Sequence, residues 1–215
     1  MIKIDKNKNV FITSDTHYGH SNICRGTTNW RLPDGSIPVD QTRDFETIEK
    51  MNDTIVNNIN SMVGQDDVLI HLGDWSFGGF NNIKKFRERI ICKEIHIILG
   101  NHDHHILNNK ENVRDLFTSV GEYNTLKYLD STFVLFHYPI TSWDGLNKGD
   151  IHLHGHVHLS NDKKFGRGKK MDVGVDGNNL KPYSIKEIIG LMNEREILSD
   201  MLFDHHTDEL KGVVG

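Results

Sequence analysis

Short runs of apolar residues alternate along this chain with longer segments in which apolar side chains recur every three or four positions. Short apolar, β-branched runs bounded by polar or glycine-containing segments are typical of buried strands. The strands predicted in this way are 10–14, 68–72, 95–99, 132–136, 151–153 and 172–175.

The longer segments predict three helices. Between 43 and 64 the apolar residues fall on one face and stop at a glycine, which is the pattern of an amphipathic helix. A second helix is predicted over about 81–92 and a last one over about 184–201. In the last one, Ser184 is the expected N-cap and Glu187 completes a capping box.

The order of these elements indicates the fold class and the domain organisation. Strands separated by helices in the first half, followed by strands in close succession, predict an α/β protein with a mixed sheet or two stacked sheets. The length of 215 residues favours one domain over two, and no internal repeat or long polar linker divides the chain. We therefore expect a single domain over 1–215, with residues after about 204 forming a frayed, mobile tail.

The composition excludes disordered and membrane-spanning proteins. Hydrophobic residues make up 36% of the chain and charged residues 26%, which is ordinary for a globular protein. A membrane helix needs about 18 or more consecutive apolar residues, and no such run occurs. Charged residues precede any apolar stretch at the start of the chain, so we expect no signal peptide.

Charge and cysteine content narrow the possible surroundings and partners. Twenty-five basic and 30 acidic residues give a net charge of −5, so no overall basic field attracts extended nucleic acid or an anionic membrane. Cys24 and Cys92 form no metal-binding or disulfide pattern, which favours a reduced, cytoplasmic protein. The sequence does not indicate whether the chain binds another protein.

Side chains that can bind metals follow five of the predicted strands. The chain has 14 histidines, and imidazole is the commonest metal ligand in proteins. Because ligands of α/β sheets bind at the carboxyl ends of strands, five such ends can converge on one site. The candidates, in chain order, are Asp15, His17, Asp74, Asn101, His102, Asp103, His137, His156 and His158.

The donor chemistry of this set suits two divalent cations. Two carboxylates, one amide oxygen and four imidazoles differ from the four, mostly thiolate, ligands of structural zinc, but they suffice for two ions that share a carboxylate. Mn²⁺ is the preferred candidate, with Fe, Zn, Ni, Co or Mg as alternatives. Two such ions about 3.5–4 Å apart can hold a phosphoryl group and supply hydroxide for in-line attack.

The same motifs, in the same order, resemble those of the calcineurin-like metallophosphoesterases. The family's motifs are D-x-H, GD, GNH(D/E), a lone H and GHxH, and the chain carries DTH, GD, GNHD, H and GHVH. The longer segments DTHYGHSNI, HLGDWSF and HYP are similar to those of a compact bacterial and phage branch. The matching positions are 15–17, 73–74, 100–103, 137 and 155–158.

The resemblance implies a four-layer α/β/β/α sandwich, with two stacked mixed β-sheets and a dinuclear metal site. It implies that His102 is the catalytic histidine beside the leaving group and that Asp103 is its orienting partner. The implied ligands are Asp15, His17 and His158 for the first metal, Asn101, His137 and His156 for the second, and Asp74 as the bridge between them.

Three further residues are candidates for substrate binding. His20 follows His17 closely in a glycine-containing loop, and we expect it to contact the substrate phosphate. Arg25 and Trp143 lie on loops beyond strand ends and are expected to line the substrate pocket. Trp30 is a further candidate, because its indole could stack on a base.

The predicted function is that of a dinuclear metal-dependent phosphoesterase. It would hydrolyse phosphomonoesters or phosphodiesters of small, nucleotide-like molecules by attack of metal-bound hydroxide. One alternative is a nuclease acting on DNA or RNA ends, because the same core supports that chemistry. Another is a non-catalytic metal-binding scaffold. Protein phosphatase activity is also compatible with the core, although a chain of this length has few residues for a peptide groove.

Overall fold

A computed structural model describes residues 1–198 and shows two β-sheets with helices packed against them. The elements follow one another along the chain as β1 Val10–Thr13, α1 Ile48–Met62, β2 Val68–His71, α2 Phe80–Arg89, β3 Glu94–Ile98, α3 His104–Leu107, β4 Ser119–Gly121, β5 Tyr123–Tyr128, β6 Ser131–Phe136, β7 Ile151–His154, β8 Lys170–Asp172, β9 Tyr183–Ser184 and α4 Ile185–Asn193.

The first sheet has the strand order β4-β3-β2-β1-β9, with every pair parallel except β1 and β9. The second sheet has the order β5-β6-β7-β8, in which β5 and β6 are antiparallel and the other pairs are parallel. Both sheets are therefore mixed, and the predicted α/β fold with two mixed sheets flanked by helices is confirmed.

One hydrophobic core lies between the two sheets. Ile12 and Ile70 of the first sheet belong to the same buried cluster as Leu135 and Leu153 of the second sheet and Ile188 of α4. Burial of each such side chain contributes about 1.5–3 kcal/mol to folding. The cluster joins the sheets and so fixes the positions of their strand ends relative to one another.

A second core covers the outer face of the first sheet. Ile55 and Ile59 of α1 and Phe86 of α2 pack on this face against Leu69 and Ile97. Strand β2 is buried at every position, as expected of a parallel strand that is covered on both faces. This double burial explains why its sequence is a continuous apolar run instead of an alternating one.

The first helix begins later than the sequence indicates. Its N-cap is Thr47, whose hydroxyl accepts a hydrogen bond from the backbone N–H of Lys50 at 3.3 Å. The backbone of Arg43 instead pairs with the loop before it, because its N–H donates to Ile23 O at 2.6 Å and its carbonyl accepts from Arg25 N–H at 2.9 Å. These hydrogen bonds hold the start of the apolar pattern in an extended conformation.

Other boundaries also differ from the predictions. The strand predicted over 172–175 occupies Lys170–Asp172 and is followed by a short 3₁₀ turn over Val175–Asn178. The last helix ends at Asn193 instead of about 201. The tail predicted after 204 lies outside the described residues. Within 1–198, no helix is long and apolar enough to cross a bilayer.

Candidate metal centre

The loops after five strands meet at one edge of the stacked sheets. Asp15 follows β1 and Asp74 follows β2, and Asp15 N–H donates to Gly73 O at 2.9 Å. The second sheet reaches the same place, because His156 N–H donates to the Asp15 carboxylate at 3.0 and 3.1 Å. Gly155 N–H in turn donates to His137 O at 2.9 Å. The backbone of both sheets therefore fixes the candidate side chains in one cluster.

One group of donors consists of Asp15, His17 and His158. The Nε2 atoms of the two histidines lie 3.1 Å apart. Asp15 Oδ1 lies 4.0 Å from His17 Nε2 and 3.8 Å from His158 Nε2. One donor atom from each residue falls within 4.8 Å of the others, so these three side chains could hold one metal ion.

A second group lies beside the first. Asp74 Oδ2 is 3.6 Å from His137 Nε2, and donor atoms of Asp15, Asp74 and His137 again fall within 4.8 Å of one another. Asn101 Oδ1 lies 3.2 Å from His137 Nε2 and 2.9 Å from His156 Nδ1. The seven predicted ligands are therefore brought together in two adjoining groups.

Asp74 lies between the two groups. Its Oδ2 is 3.4 Å from His17 Nε2 in the first group and 3.6 Å from His137 Nε2 in the second. Its Oδ1 accepts a hydrogen bond from the backbone N–H of His102 at 2.9 Å. One carboxylate oxygen thus faces both groups, while the other is held by the backbone.

The tautomers of two histidines fit a metal-binding role. His137 Nδ1 donates to Leu72 O at 2.7 Å, because a carbonyl can only accept. His158 Nδ1 lies 2.7 Å from the Asp176 carboxylate, which likewise accepts. Against the effect of burial, Asp176 and Asp15 raise the pKa of His158, whereas burial lowers the pKa of His137. In its neutral form each ring presents an Nε2 lone pair to the cluster, and this is the arrangement in which proteins hold metal-binding imidazoles.

Electrostatics also favours a cation in this cluster. The pKa of Asp15 is raised to about 8, mainly by burial, with the nearby Asp172 and Asp74 acting in the same direction and His158 opposing them. Burial lowers the pKa of His17 far below its usual value, so this ring is neutral. A bound cation favours the charged form of a carboxylate, so it would offset the cost of burying two aspartates together.

The backbone at the candidate ligands is strained. Left-handed φ values are uncommon for residues other than glycine and concentrate at functional sites, where the surrounding structure maintains them. The residues with such values in this cluster are Asp15 (56°), His17 (48°), Asp74 (57°), His156 (73°) and His158 (52°). The loops are thus held in costly conformations that bring their side chains to a common point.

Gly155 allows the close approach of the two sheets at this point. A Cβ on Gly155 would lie 2.1 Å from Ser14 Oγ and 2.2 Å from Asp15 Oδ2. Both distances are far below van der Waals contact, and neither atom belongs to a flexible chain end. The glycine in the GHVH motif is therefore a steric requirement of the Asp15 position.

We expect Gly155→Ala to lower the free energy of unfolding by about 1–3 kcal/mol, because the added methyl group overpacks a buried site. Urea denaturation of the metal-free protein measures the change. Gly190→Ala in α4 is the matched control, since a Cβ there meets nothing within 4 Å and should stabilise the helix by about 0.5–1 kcal/mol. Equal effects of the two substitutions would contradict the steric argument.

Two residues that the sequence did not indicate, Arg43 and Asp176, hold the candidate ligands in position. Arg43 forms a bidentate ion pair with Asp176, with N···O distances of 2.7 and 2.8 Å. The same guanidinium donates to Asp15 O at 2.7 Å and to Thr16 O at 2.9 Å. Asp176 follows β8, so the strand-end rule that found the other acidic residues could also have found it.

Asp176 links Arg43 to His158. Burial acts to raise the pKa of Asp176, but the Arg43 charge and the hydrogen bonds from Arg43 and His158 outweigh it, and the pKa is strongly lowered. Asp176 is therefore a carboxylate that orients the His158 ring. Carboxylates in this position raise the basicity of metal-binding imidazoles.

His102 and Asp103 have different surroundings. The His102 ring is half-buried beside the cluster, with its centroid 5.4 Å from that of His17, and among the described residues it makes no side-chain hydrogen bond. The prediction that Asp103 orients this ring is wrong in this structure. Its carboxylate instead accepts hydrogen bonds from the backbone N–H groups of Asp74, Trp75 and Gly100 at 2.8–3.0 Å, and so it fixes the loop that carries Asp74.

His20 lies where the sequence places it, beside the cluster. It is buried against Phe77, with parallel rings whose centroids are 4.0 Å apart. Burial, assisted by the nearby His102 and Arg43, lowers its pKa to about 4, so His20 is neutral. It lines a cavity of about 660 Å³ that also reaches His17, His102 and Trp30.

Two predicted substrate-binding residues do not line this cavity. Arg25 forms an ion pair with the exposed Asp44 at 2.8 Å and donates to backbone carbonyls of Val39 and Thr42, so its guanidinium is used to hold a loop. Trp143 is buried behind the second sheet, because its indole packs with Val134 and donates to the Asp150 carbonyl at 2.9 Å. Neither side chain is therefore placed where it could contact a ligand in this cavity.

Comparison with known proteins gives consistent matches. A family model described as calcineurin-like phosphoesterase matches residues 8–206. The uncharacterized protein MJ1445 of Methanocaldococcus jannaschii is 30% identical over 198 residues, which cover 89% of this chain and 95% of that protein.

Solved structures are also similar to this chain. The protein of unknown function AQ665 from Aquifex aeolicus aligns with a TM-score of 0.62 at 22% identity, over 86% of this chain and 100% of that chain. A novel archaeal phosphodiesterase aligns with a TM-score of 0.44 at 20% identity, over 77% of this chain and 82% of that chain. The Aquifex structure shares the fold described above.

Proposed function

Because the chain belongs to the calcineurin-like phosphoesterase family and is a metal-dependent phosphoesterase, we propose that it hydrolyses esters of small, nucleotide-like molecules at a dinuclear centre. The substrates would be phosphomonoesters or phosphodiesters. Manganese is the proposed metal, since mixed carboxylate, amide and imidazole donors suit Mn²⁺. The unpaired, buried Cys24 and Cys92 support a reducing, cytoplasmic location.

The position of Asp74 carries the dinuclear proposal. A single oxygen, Oδ2, lies 3.4 and 3.6 Å from the Nε2 atoms of His17 and His137, which belong to different donor groups. A carboxylate shared by two cations would lie in this way. In the proposed assignment Asp15, His17 and His158 hold the first cation, Asn101, His137 and His156 hold the second, and Asp74 binds both.

The metal pair, when bound, supplies positive charge for the phosphoryl oxygens and a water of lowered pKa. The chain's own residues position this chemistry. Asp176 and the Leu72 carbonyl fix the tautomers of His158 and His137, so both rings keep lone pairs directed at the cluster. Asn101 adds an oxygen donor without adding negative charge, so two aspartates facing two divalent cations leave a net positive site for phosphate.

His102 is the proposed proton donor to the leaving-group oxygen. Its ring lies beside His17 and lines the cavity next to the cluster, so it can reach an ester oxygen bound there. General acid catalysis of this kind contributes about 10²–10⁴-fold to a rate. A binding-only scaffold has no use for such a group, and this favours the enzymatic function over the scaffold alternative.

The test is to supply Mn²⁺ to the metal-free protein. We expect hydrolysis of bis(4-nitrophenyl) phosphate or 4-nitrophenyl phosphate to appear, together with a thermal stabilisation. Binding at 100 times the dissociation constant stabilises the native state by about 2.7 kcal/mol.

Three outcomes of this test distinguish the alternatives. Stabilisation by Mn²⁺ with no hydrolysis of any ester would favour the scaffold. Tight, steeply salt-dependent binding of oligonucleotides would favour the nuclease, because each neutralised phosphate releases counterions. Hydrolysis that persists unchanged after chelation of the metal would overturn the proposal.

A further inference from the structure

The cavity beside the candidate metal centre has exposed apolar residues in its wall. Trp30, Phe77 and Val157 line it and remain 38%, 39% and 45% exposed. Large apolar side chains that stay in contact with water around one cavity indicate a binding surface. At about 660 Å³, the cavity has the size that accommodates ligands such as nucleosides.

The aromatic rings form a corner at one end of the cavity. Phe77 stacks face to face on His20, while Trp30 meets the same imidazole edge-on, with centroids 6.0 Å apart and planes at 89°. His20 is thus held between two aromatic side chains. A flat ring that enters the cavity can stack on the exposed part of this corner, as bases stack on aromatic side chains in proteins.

Away from the candidate metal centre, the charge around the cavity disfavours an anionic leaving group. Within residues 1–198, Arg43 is the only lysine or arginine that lines it, and its guanidinium is bound to Asp176 on two atoms and to two backbone carbonyls. The exposed carboxylate of Asp40 also lines the cavity. A second phosphate on the substrate would therefore face Asp40 without a cation to compensate it.

The remaining polar groups of the wall are uncharged. Asn22, Gln41, Thr42 and Ser160 line the cavity, and their amides and hydroxyls can donate and accept hydrogen bonds. Such groups match the heteroatoms of a neutral aromatic ring system. They add selectivity without attracting a polyanion.

The position of His102 indicates which part of the substrate occupies the cavity. His102 lines this same cavity, and a proton donor has to lie next to the oxygen that departs. We propose that the cavity is the leaving-group subsite and that it selects an uncharged, planar aromatic leaving group such as a nucleoside, with Trp30 and Phe77 as specificity-determining residues. This inference rests on the proposed function and narrows its substrate class by specifying the leaving group.

The selectivity can be measured with two leaving groups of nearly the same shape. Esters of 4-hydroxybenzamide carry a neutral amide, and esters of 4-hydroxybenzoate carry a carboxylate in its place. Each is supplied as the monoester and as the methyl diester to the manganese-loaded protein. We expect kcat/KM to be about tenfold higher for the amide, mainly through KM, because the carboxylate of 4-hydroxybenzoate would face Asp40 without a cation to compensate it.

Substitution of Trp30 tests the role of the aromatic corner. Trp30→Ala should lower kcat/KM for the amide ester about tenfold, with kcat nearly unchanged, because one stacking contact is lost. It should affect a methyl phosphate ester much less. Tyr123→Ala is the matched control, because Tyr123 is an exposed aromatic residue on β5 that does not line the cavity.

A binding measurement separates failure of this inference from failure of the proposed function. Ligand-observed NMR on the metal-free protein should detect 4-hydroxybenzamide but not 4-hydroxybenzoate, and Trp30→Ala should abolish the signal. If no ester is hydrolysed but this binding pattern is found, the proposed hydrolysis of nucleotide-like esters fails and the subsite remains. Equal hydrolysis and equal binding of both compounds, unaffected by Trp30→Ala, would overturn the subsite alone.

Discussion

Asp74→Asn is expected to reduce metal-dependent hydrolysis by about 10³-fold or more. The substitution removes a negative charge that both cations need for binding. Bound metals supply several kcal/mol of transition-state stabilisation. A loss of about 4 kcal/mol of that stabilisation corresponds to a 10³-fold lower rate. The amide keeps an oxygen at the Oδ1 position, where it can still accept the hydrogen bond from His102 N–H that is 2.9 Å long in the native chain. The loop should therefore keep its conformation.

We expect the loss of activity to result from weaker metal binding and not from misfolding. In Asp74→Asn the new amide group would lie next to the Nε2 lone pairs of His17 and His137, to which it can donate hydrogen bonds. The metal-free variant should therefore be at least as stable as the native chain, since a buried, unpaired charge has been removed.

Mass spectrometry of the intact protein would give the number of metal ions bound. We expect it to fall in Asp74→Asn, while Asp130→Asn, at the exposed turn between β5 and β6, should retain the native number. Undiminished hydrolysis in Asp74→Asn, or a full complement of metal with unchanged affinity, is incompatible with a bridging role for this carboxylate.

Strands that are buried on both faces could be predicted from the sequence. Strands β1, β2 and β3 appear as continuous apolar runs because both sides of the first sheet are covered. Strands β5 and β9 were missed for opposite reasons. Tyr123–Tyr128 mixes exposed and buried positions without regular alternation, and Tyr183–Ser184 is only two residues long and is recognisable only by its pairing with β1.

The positions of the candidate ligands could be predicted because each directly follows a strand. The supporting residues could not be assigned in the same way. Arg43 and Asp176 are separated by 133 positions in the sequence, and they meet only because the two sheets stack. Asp103 shows the converse error, because its place next to His102 in the sequence suggests a partnership, while the turn directs its carboxylate to backbone N–H groups.

Arg25 and Trp143 show why loop residues were harder to assign than strand ends. A position beyond a strand end does not determine whether a side chain faces the site or the loop itself. Arg25 is taken up by Asp44 and by nearby carbonyls, and Trp143 by the apolar cluster behind the second sheet. The orientation of each side chain depends on hydrogen bonds and burial within its loop, and these contacts leave no repeating pattern in the sequence from which they could be predicted.

His102→Asn is expected to slow hydrolysis by an amount that depends on the leaving group. A proton donor matters most when the departing oxygen is strongly basic, so an alkyl ester should lose about 10²–10⁴-fold in kcat. A 4-nitrophenyl ester, whose leaving group departs readily without a proton, should lose far less. The measurement is kcat for both esters in the native chain and the variant at saturating Mn²⁺.

The dependence on the leaving group distinguishes proton donation from positioning. A residue that only shaped the site would reduce the rates of both esters by the same factor, so equal losses in His102→Asn would contradict the proton-donor role. His104→Gln is the control, because His104 is an exposed histidine two positions further on, at the start of α3, and should leave both rates unchanged. Manganese binding should also be unchanged in His102→Asn, because its ring is not among the seven proposed ligands, and the backbone N–H that it donates to Asp74 remains.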